Sequence, residues 1–158
     1  PALPPILTLR HLAHLAAVDY GFLRAVVARR LEDPYTVFRV RKGGTGPRRR
    51  EYRVICVPDP ALMQVQRWIA RRVLARGKPH PASFAFAEGS TILAAAEPHC
   101  GCRWLIKLDV RRFFESISEI AAHRVFLDLG YQPLVAFELA RLCSRMGATK
   151  LRGEAHRW

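Results

Sequence analysis

The sequence has few acidic residues, few lysines and no long apolar run, and each shortage excludes something. Only 13 Asp and Glu residues stand against 26 Lys and Arg residues, so the formal net charge is +13. This balance favours a polyanionic partner, and nucleic acid is the commonest one. No apolar run approaches the ~20 residues that a membrane span requires, and no signal-peptide pattern opens the chain. We therefore expect a cytoplasmic protein with no membrane partner.

Lysine is scarce among the cations, at Lys42, Lys78, Lys107 and Lys150, and the others are arginines. Arg binds phosphate oxygens as a fork and stacks on bases, so the preference for Arg points toward nucleic acid. GC-rich codon usage is the alternative cause of the same preference.

Cysteine is also scarce, and the cluster His99, Cys100 and Cys102 is the one group with a metal-like composition. Structural zinc sites supply four ligands, and their paired cysteines are usually two to four residues apart. This C-x-C pair has no matching second pair, and disulfides are rare in a reducing compartment. We expect free thiols, with structural zinc as the alternative.

Hydrophobic periodicity predicts an α+β chain. A helix over 8–17 follows a Thr8 cap, and a second helix follows Asp19. Alternating strands over 36–42 and 51–57 flank the glycine-rich turn 43–47, which makes a hairpin with an arginine-rich tip. Further helices are predicted over 61–75, 91–96 with Ser90 as its cap, 116–129 and 133–146, and a strand over 103–110.

The most specific chemical pattern is 104–117, which reads W-L-I-K-L-D-V-R-R-F-F-E-S-I. An apolar strand would place the carboxylate of Asp109 rigidly at its end, and the carbonyl of Val110 could join it in holding Mg²⁺. Two such ions can activate an attacking hydroxyl and stabilise a leaving pyrophosphate. Taken alone, an aspartate in this position is more often a solvated helix cap.

This stretch resembles motif A of reverse transcriptases, where L-D-I/V-x-x-F-F-x-S-I is a familiar form in retron and group II intron enzymes. The resemblance extends in order along the chain, through the hairpin 38–58, the helix 62–74, the segment 85–99 and the helices around 127–143. The sequence H-P-A-S at 80–83 and the W-L-I-K at 104–107 are similar to the retron branch.

The resemblance implies a fingers hairpin with helices followed by the first half of a polymerase palm. The implied division is a helical lead-in over 1–35, fingers over 36–103 and a partial palm over 104–158. Reverse transcriptases complete the site with a Y-x-D-D hairpin after an L-P-Q-G segment, and this sequence contains neither. A truncated piece, a split subunit and part of a longer chain all explain this absence. The sequence as given is expected to be inactive alone.

The resemblance also implies roles for individual residues. Asp109 would be catalytic and would bind Mg²⁺ with the carbonyl of Val110. Lys42 and Arg53 would bind the triphosphate of the incoming deoxynucleotide. Of Phe113 and Phe114, one would stack under the deoxyribose and the other would pack beneath it in the core, and the two roles can be exchanged. Arg48, Arg49 and Arg50 are alternatives to Lys42 in the longer tip. The residues expected to contact RNA template or primer are Arg48, Arg49, Arg50, Gln66, Phe86, Gly89 and Ser90.

The implied activity is RNA-directed DNA synthesis, with an RNA template, a DNA or RNA primer and dNTP as partners. The downstream polymerase half, a retron noncoding RNA and an effector protein complete the expected partners. Two alternatives stay open. One is a non-catalytic basic domain that binds RNA, and the other is a degenerate reverse-transcriptase relative in antiviral defence.

Overall fold

The computed structural model describes residues 3–41, 52–77, 79–85, 89–110 and 113–146, and the backbone alone of 149–151 and 154–156. Helices and strands are both present, in agreement with the predicted α+β class. The helices are α1 (Leu9–Ala16), α2 (Tyr20–Val27), α3 (Pro60–Arg72), α4 (Ile92–Ala96), α5 (Phe113–Ser116), α6 (Glu119–Asp128) and α7 (Pro133–Cys143). The strands are β1 (Tyr35–Arg41), β2 (Tyr52–Pro58), β3 (Thr149–Leu151) and β4 (Glu154–His156), and 3₁₀ turns cover Leu74–Arg76 and Glu97–His99.

The first two helices have the side-chain caps that the sequence predicted. The hydroxyl of Thr8 accepts a hydrogen bond from the His11 amide at 3.1 Å, and Asp19 accepts one from the Phe22 amide at 2.7 Å. Such caps satisfy amides that have no partner inside the helix. Helix α1 ends at Ala17, whose φ of 52° lets the Val18 amide reach back to the Ala13 carbonyl. The chain therefore turns sharply between the two helices.

The residue that follows the C-cap of α2 is an arginine, where a glycine is usual. Arg29 has a φ of +55°, and the amide of Arg30 donates to the carbonyl of Ala25 at 2.9 Å. A left-handed backbone is costly for a residue with a Cβ, so glycine or asparagine is preferred at this position. The Arg29 side chain has bonds elsewhere in the fold that a glycine could not make.

Strands β1 and β2 form the predicted antiparallel hairpin. Tyr35 pairs with Pro58 at its base and Arg41 pairs with Tyr52 at the last described rung. The amide of Asp59 donates to the carbonyl of Pro34 at 2.8 Å and closes the base. Asp59 then caps α3 by accepting from the Ala61 amide, so the hairpin and α3 are joined without a linker.

The core lies between α1, α2, α3, α6 and α7. Leu62, Val65 and Ile69 of α3 are almost fully buried, because their spacing of three and four residues places them on one face. Truncating a side chain of this kind to Ala costs about 2–5 kcal/mol. The other members are Ile6, Leu9, Leu12, Ala13, Ala16, Leu23, Val26, Val73, Phe126, Tyr131, Val135, Ala136, Leu139, Ala140 and Leu142. Residues from the lead-in, the fingers segment and the palm segment of the predicted division thus share one core.

The predicted strand over 103–110 is wrong, because the described residues 104–110 adopt no regular secondary structure. A strand is stable only when a neighbour pairs with its backbone, and within the described residues each strand pairs within its own hairpin, β1 with β2 and β3 with β4. Trp104, Ile106 and Leu108 are all more than 80% exposed. The apolar side chains of this segment are therefore not packed against any described part of the protein.

Several helix boundaries also differ from the prediction, and α3 and α7 each end three residues before the expected position, at Arg72 and Cys143. Thr91, not Ser90, caps α4, since its hydroxyl accepts from the Ala94 amide at 3.1 Å. The single helix expected over 116–129 is divided, because Ser118 is extended and caps α6 by accepting from the Ala121 amide. Periodicity alone does not show such a break, since the apolar spacing continues across it. No helix of the described part is long and apolar enough to cross a membrane.

Candidate nucleic-acid and nucleotide site

Asp109 and Val110 lie in the exposed segment between α4 and α5. Val110 is 62% exposed, and the side chain of Asp109 is likewise open to solvent. Over the described residues, no group of three or more His, Cys, Asp or Glu side chains converges in a way that could hold a metal ion. Asp109 is therefore accessible to a ligand, but it belongs to no cluster of three or more such side chains among the described residues.

Phe113 and Phe114 begin the short helix α5, four and five residues after Asp109. Their rings are edge to face, with centroids 5.4 Å apart, and both side chains are more than half exposed. Ser116 donates from its hydroxyl to the Phe113 carbonyl at 2.7 Å, which helps to close this turn. The two rings thus form an exposed aromatic pair that follows Asp109 closely in the sequence. Their order of roles toward a nucleotide remains a prediction.

Arg53 lies near the distal end of the described hairpin. It pairs with Val40 across the ladder, and both residues are exposed. Side chains alternate between the two faces of a strand, so Arg53 shares a face with Phe38 and Ile55, while Arg39 lies on the other face. Within the described residues, no hydrogen bond or ion pair joins Arg53 to Asp109.

Several predicted site residues lie outside the described residues. They are Lys42, Arg48, Arg49, Arg50 and Phe86. Gly89 and Ser90 are described and exposed, and the φ of +79° at Gly89 is a conformation that favours glycine. The proposed template contacts of this group stay predictions.

Gln66 is engaged inside the protein. Its Nε2 donates to the hydroxyl of Tyr35 at 2.9 Å and to the carbonyl of Leu142 at 2.8 Å. Burial raises the pKa of the Tyr35 hydroxyl above its ordinary value, and the Gln66 hydrogen bond only partly opposes this shift. Gln66 therefore connects the start of β1 to the end of α7. The template contact expected of Gln66 stays a prediction.

Arg145 holds the base of the hairpin from the other side. Its Nε donates to Oδ2 of Asp33 at 3.2 Å, its Nη1 contacts Sγ of Cys56 at 3.4 Å, and its guanidinium lies 5.7 Å from the centre of the Tyr35 ring. The Asp33 hydrogen bond is the main cause that raises the pKa of Arg145. The hairpin is thus fixed at its base, while its distal strands project into solvent.

Two groups of described arginines differ in their partners, and the sequence did not separate them. Arg29, Arg141 and Arg145 form ion pairs with Glu119 or Asp33. Arg67, Arg71 and Arg72 on α3 are exposed and form no ion pair with any described residue. The first group stabilises the fold, and the second is available to an external anion. The only sequence signal for the difference is that the second group shares one helix face.

The cysteines give no metal site in the described region. Cys56, Cys100, Cys102 and Cys143 all carry free thiols, and Sγ of Cys100 contacts the Ala96 carbonyl at 3.7 Å. His99 ends a 3₁₀ turn beside them, and no metal-binding group forms among the described side chains.

Comparison with known proteins gives a consistent set of relatives. The chain is 32% identical over 109 residues to the retron Ec86 reverse transcriptase of Escherichia coli, a match that covers 69% of this chain. It is 29% identical over 143 residues to the retron Mx65 reverse transcriptase of Myxococcus xanthus, covering 89% of this chain. The retron Mx162 reverse transcriptase of the same organism is 36% identical over 66 residues, covering 42% of this chain and 14% of that protein. This chain is a retron reverse-transcriptase-like sequence.

The resemblance to retron reverse transcriptases is confirmed by these relatives. No protein-family model matches the chain. The retron-like region is short by comparison, because the matches span 33% of the Ec86 protein and 32% of the Mx65 protein. The chain thus spans about a third of the length of these relatives.

Proposed function

We propose that this chain serves as the fingers and first palm segment of a retron-type RNA-directed DNA polymerase. The observation that carries the proposal is the relationship to several retron reverse transcriptases, combined with the L-D-V-x-x-F-F pattern at 108–114. The hairpin of β1 and β2 supports it, since it lies where fingers strands are expected. In this proposal, the segment binds RNA template, primer and dNTP.

Asp109 and Val110 are the residues that would hold Mg²⁺. A carboxylate and a backbone carbonyl are oxygen donors of the kind that Mg²⁺ prefers, so the donors fit the ion in type. When bound, Mg²⁺ would neutralise phosphate charge and lower the pKa of the attacking hydroxyl. Two oxygens are fewer than the six that octahedral Mg²⁺ takes, so water, nucleotide phosphates and further carboxylates would supply the others.

Arg53 and the aromatic pair would position the nucleotide. An arginine on the exposed hairpin can reach the triphosphate of dNTP and form charge-assisted hydrogen bonds with it. One ring of the pair Phe113 and Phe114 would lie under the deoxyribose and leave no space for a 2′-hydroxyl, while the other packs beneath it. Lys42 or an arginine of the tip would contact the triphosphate from the opposite strand.

The exposed segment 104–110 would become a strand when a neighbouring palm strand pairs with it. Its nearly continuous run of exposed apolar side chains fits a strand that is covered on both faces. Pairing would fix Asp109 at the strand end and would bury apolar surface that is now open to water. In this proposal, the segment that completes the palm also contributes the remaining catalytic carboxylates.

A non-catalytic RNA-binding domain is the second candidate. The observation that favours it is that no group of three or more His, Cys, Asp or Glu side chains that could hold a metal ion forms among the described residues. A net charge of +13 and the unpaired arginines of α3 suffice for binding RNA without any chemistry.

The test is Mg²⁺-dependent primer extension on an RNA template. The purified chain is assayed alone, and then together with the part of a retron reverse transcriptase that follows the matched region. We expect no synthesis by the chain alone and DNA synthesis by the pair. Synthesis by the chain alone would contradict an incomplete site, whereas RNA binding without synthesis in any combination would favour the second candidate.

A further inference from the structure

The outer face of α3 forms a cleft with the end of α1. It encloses about 440 Å³ and is lined by Ala16, Pro60, Gln64, Arg67, Trp68, Arg71 and Arg72. Ligand pockets in proteins have volumes of this order, and a cleft of this size can hold a nucleotide. Three of the seven lining residues are arginines and none is acidic. The cleft therefore suits an anion with a planar, apolar part.

The arginines are placed together by the helix itself. Arg67 and Arg71 are four residues apart, and Arg72 follows Trp68 by four, so all three lie around the side of α3 that faces the cleft. Like charges so close repel one another, and no described acidic residue pairs with any of them. Among the described residues, therefore, no carboxylate supplies their counter-charge.

Trp68 gives the cleft a rigid aromatic wall. Its side chain is half-buried and packs against the core, so the ring has little freedom. Gln64, one turn earlier, donates through Nε2 to the carbonyls of Ala16 at 2.8 Å and Ala17 at 3.1 Å. These two bonds join α3 to the end of α1, so the cleft exists before any ligand binds.

We infer that this cleft binds one to three nucleotides of an RNA strand, with the phosphates on Arg67, Arg71 and Arg72 and a base against Trp68. Arginine forks and an aromatic face are the two elements with which proteins bind single-stranded nucleic acid without reading its sequence. The cleft lies on α3 and not on the hairpin, so it is a second RNA contact beside the polymerase site. The inference rests on the proposed function, which supplies the RNA.

The first experiment measures RNA affinity against salt concentration. The variant Arg67→Gln, Arg71→Gln, Arg72→Gln is compared with the control Arg24→Gln, Arg30→Gln, Arg124→Gln, which removes the same charge from exposed arginines outside the cleft. Three lost phosphate contacts should lower the slope of log affinity against log salt by about 2 on single-stranded RNA. We expect a smaller change in the control.

The second experiment tests whether an RNA base lies against Trp68. In the variant Trp104→Phe, Trp158→Phe, Trp68 is the one remaining tryptophan. A single-stranded oligonucleotide of uridines should quench its fluorescence, with a midpoint that matches the binding curve. Quenching by poly-glutamate but not by the oligonucleotide would assign the cleft to an acidic polypeptide and overturn the inference.

The outcomes separate this site from the proposed function. An unchanged slope in the cleft variant, or an equal loss in the control, would overturn the site while leaving RNA binding by the chain intact. If the parent chain binds no RNA at all, the proposed function fails and the site fails with it. A reduced slope in the cleft variant alone, together with quenching of Trp68 by RNA, supports the site.

Discussion

Nη2 of Arg29 lies 2.6 Å from Oε2 of Glu119, and this contact joins the end of α2 to the start of α6. Arg141 donates from Nε to the other oxygen of Glu119 at 3.2 Å and from Nη1 to the Val27 carbonyl at 2.7 Å. Arg29 also donates to the carbonyl and hydroxyl of Ser144, both at 3.1 Å. One carboxylate thus connects three helices, which accounts for an arginine in the left-handed position that ends α2.

We predict that Glu119→Gln lowers the free energy of unfolding by about 2 kcal/mol near pH 7, because hydrogen bonds to charged groups are lost. Burial would raise the pKa of the Glu119 carboxyl, but its hydrogen bonds to Arg29 and Arg141 outweigh this and lower it. The stabilisation is therefore complete above the unfolded pKa of about 4.3 and is lost as pH falls through the lower folded value.

Urea unfolding of the parent and the variant between pH 3 and pH 8 measures this difference. Glu32→Gln is the matched control, since Glu32 is exposed and has no described partner. The gap between parent and Glu119→Gln should close in acid. A gap that is the same at pH 3 and pH 7 would show that the ion pairs do not stabilise the fold.

Local signals in the sequence were sufficient for the first two helices and for the pairing of β1 with β2. Thr8 and Asp19 are caps that act within three residues, and the two paired strands are consecutive along the chain, so no distant partner is needed. The strand expected to end at Asp109 is different, because strand pairing depends on residues far away in sequence. The ion pairs of Glu119 span 90 and 22 positions, and no local pattern indicates such partners.

The candidate site could be predicted only in part, for a related physical reason. A motif predicts which residues are adjacent along the chain, but the core packing expected for one of Phe113 and Phe114 is not found, because both residues are more than half exposed. A motif also does not predict whether a hairpin arginine reaches Asp109, which depends on how separate elements pack. Gln66 shows the same dependence on packing, because its amide donates to Tyr35 and Leu142, which are far from it in the sequence.

Asp109→Asn should abolish DNA synthesis when the chain is combined with a complementary polymerase segment. A neutral amide binds Mg²⁺ weakly, and loss of one metal-binding carboxylate costs several kcal/mol of transition-state stabilisation. RNA affinity should be nearly unchanged, because no phosphate-binding cation is removed. The control Asp128→Asn changes an exposed aspartate at the end of α6. Primer extension at the parental rate by Asp109→Asn would remove Asp109 from the proposed site.

Arg53→Ala should impair nucleotide use more than RNA binding. Its guanidinium is expected to meet the triphosphate, where charge develops during transfer, so kcat/KM for dNTP should fall by about 10²-fold. Arg39→Ala removes an exposed arginine from the opposite face of the same hairpin and should change kcat/KM little. Steady-state kinetics of the chain combined with a complementary polymerase segment, at saturating template and primer, distinguish the two variants. Equal decreases of kcat/KM in the two variants would mean that nucleotide use depends on the total charge of the hairpin and not on the position of Arg53.

The arginines of the hairpin tip should contribute to RNA binding without regard to sequence. Replacing Arg48, Arg49 and Arg50 with Gln removes three cations expected to contact phosphates. The slope of log affinity against log salt should then fall by about 2 for single strands. Fluorescence anisotropy with two RNAs of unrelated sequence measures it, and both should change alike. An unchanged slope would place the tip in solvent.

The exposed segment before α5 should make the isolated chain self-associate. Ile106 is 83% exposed and Leu108 is 88% exposed, and an unpaired apolar segment is open to pairing with a second copy. Sedimentation velocity should show species larger than a monomer at tens of micromolar, and Ile106→Thr with Leu108→Thr should shift them toward the monomer. Leu7→Thr, which changes a leucine that is 72% exposed elsewhere, should not.

Addition of a polymerase segment that pairs with 104–110 should compete with self-association, because both use the same backbone groups. A parent chain that stays monomeric throughout this range would show that the segment is protected by contacts within its own chain.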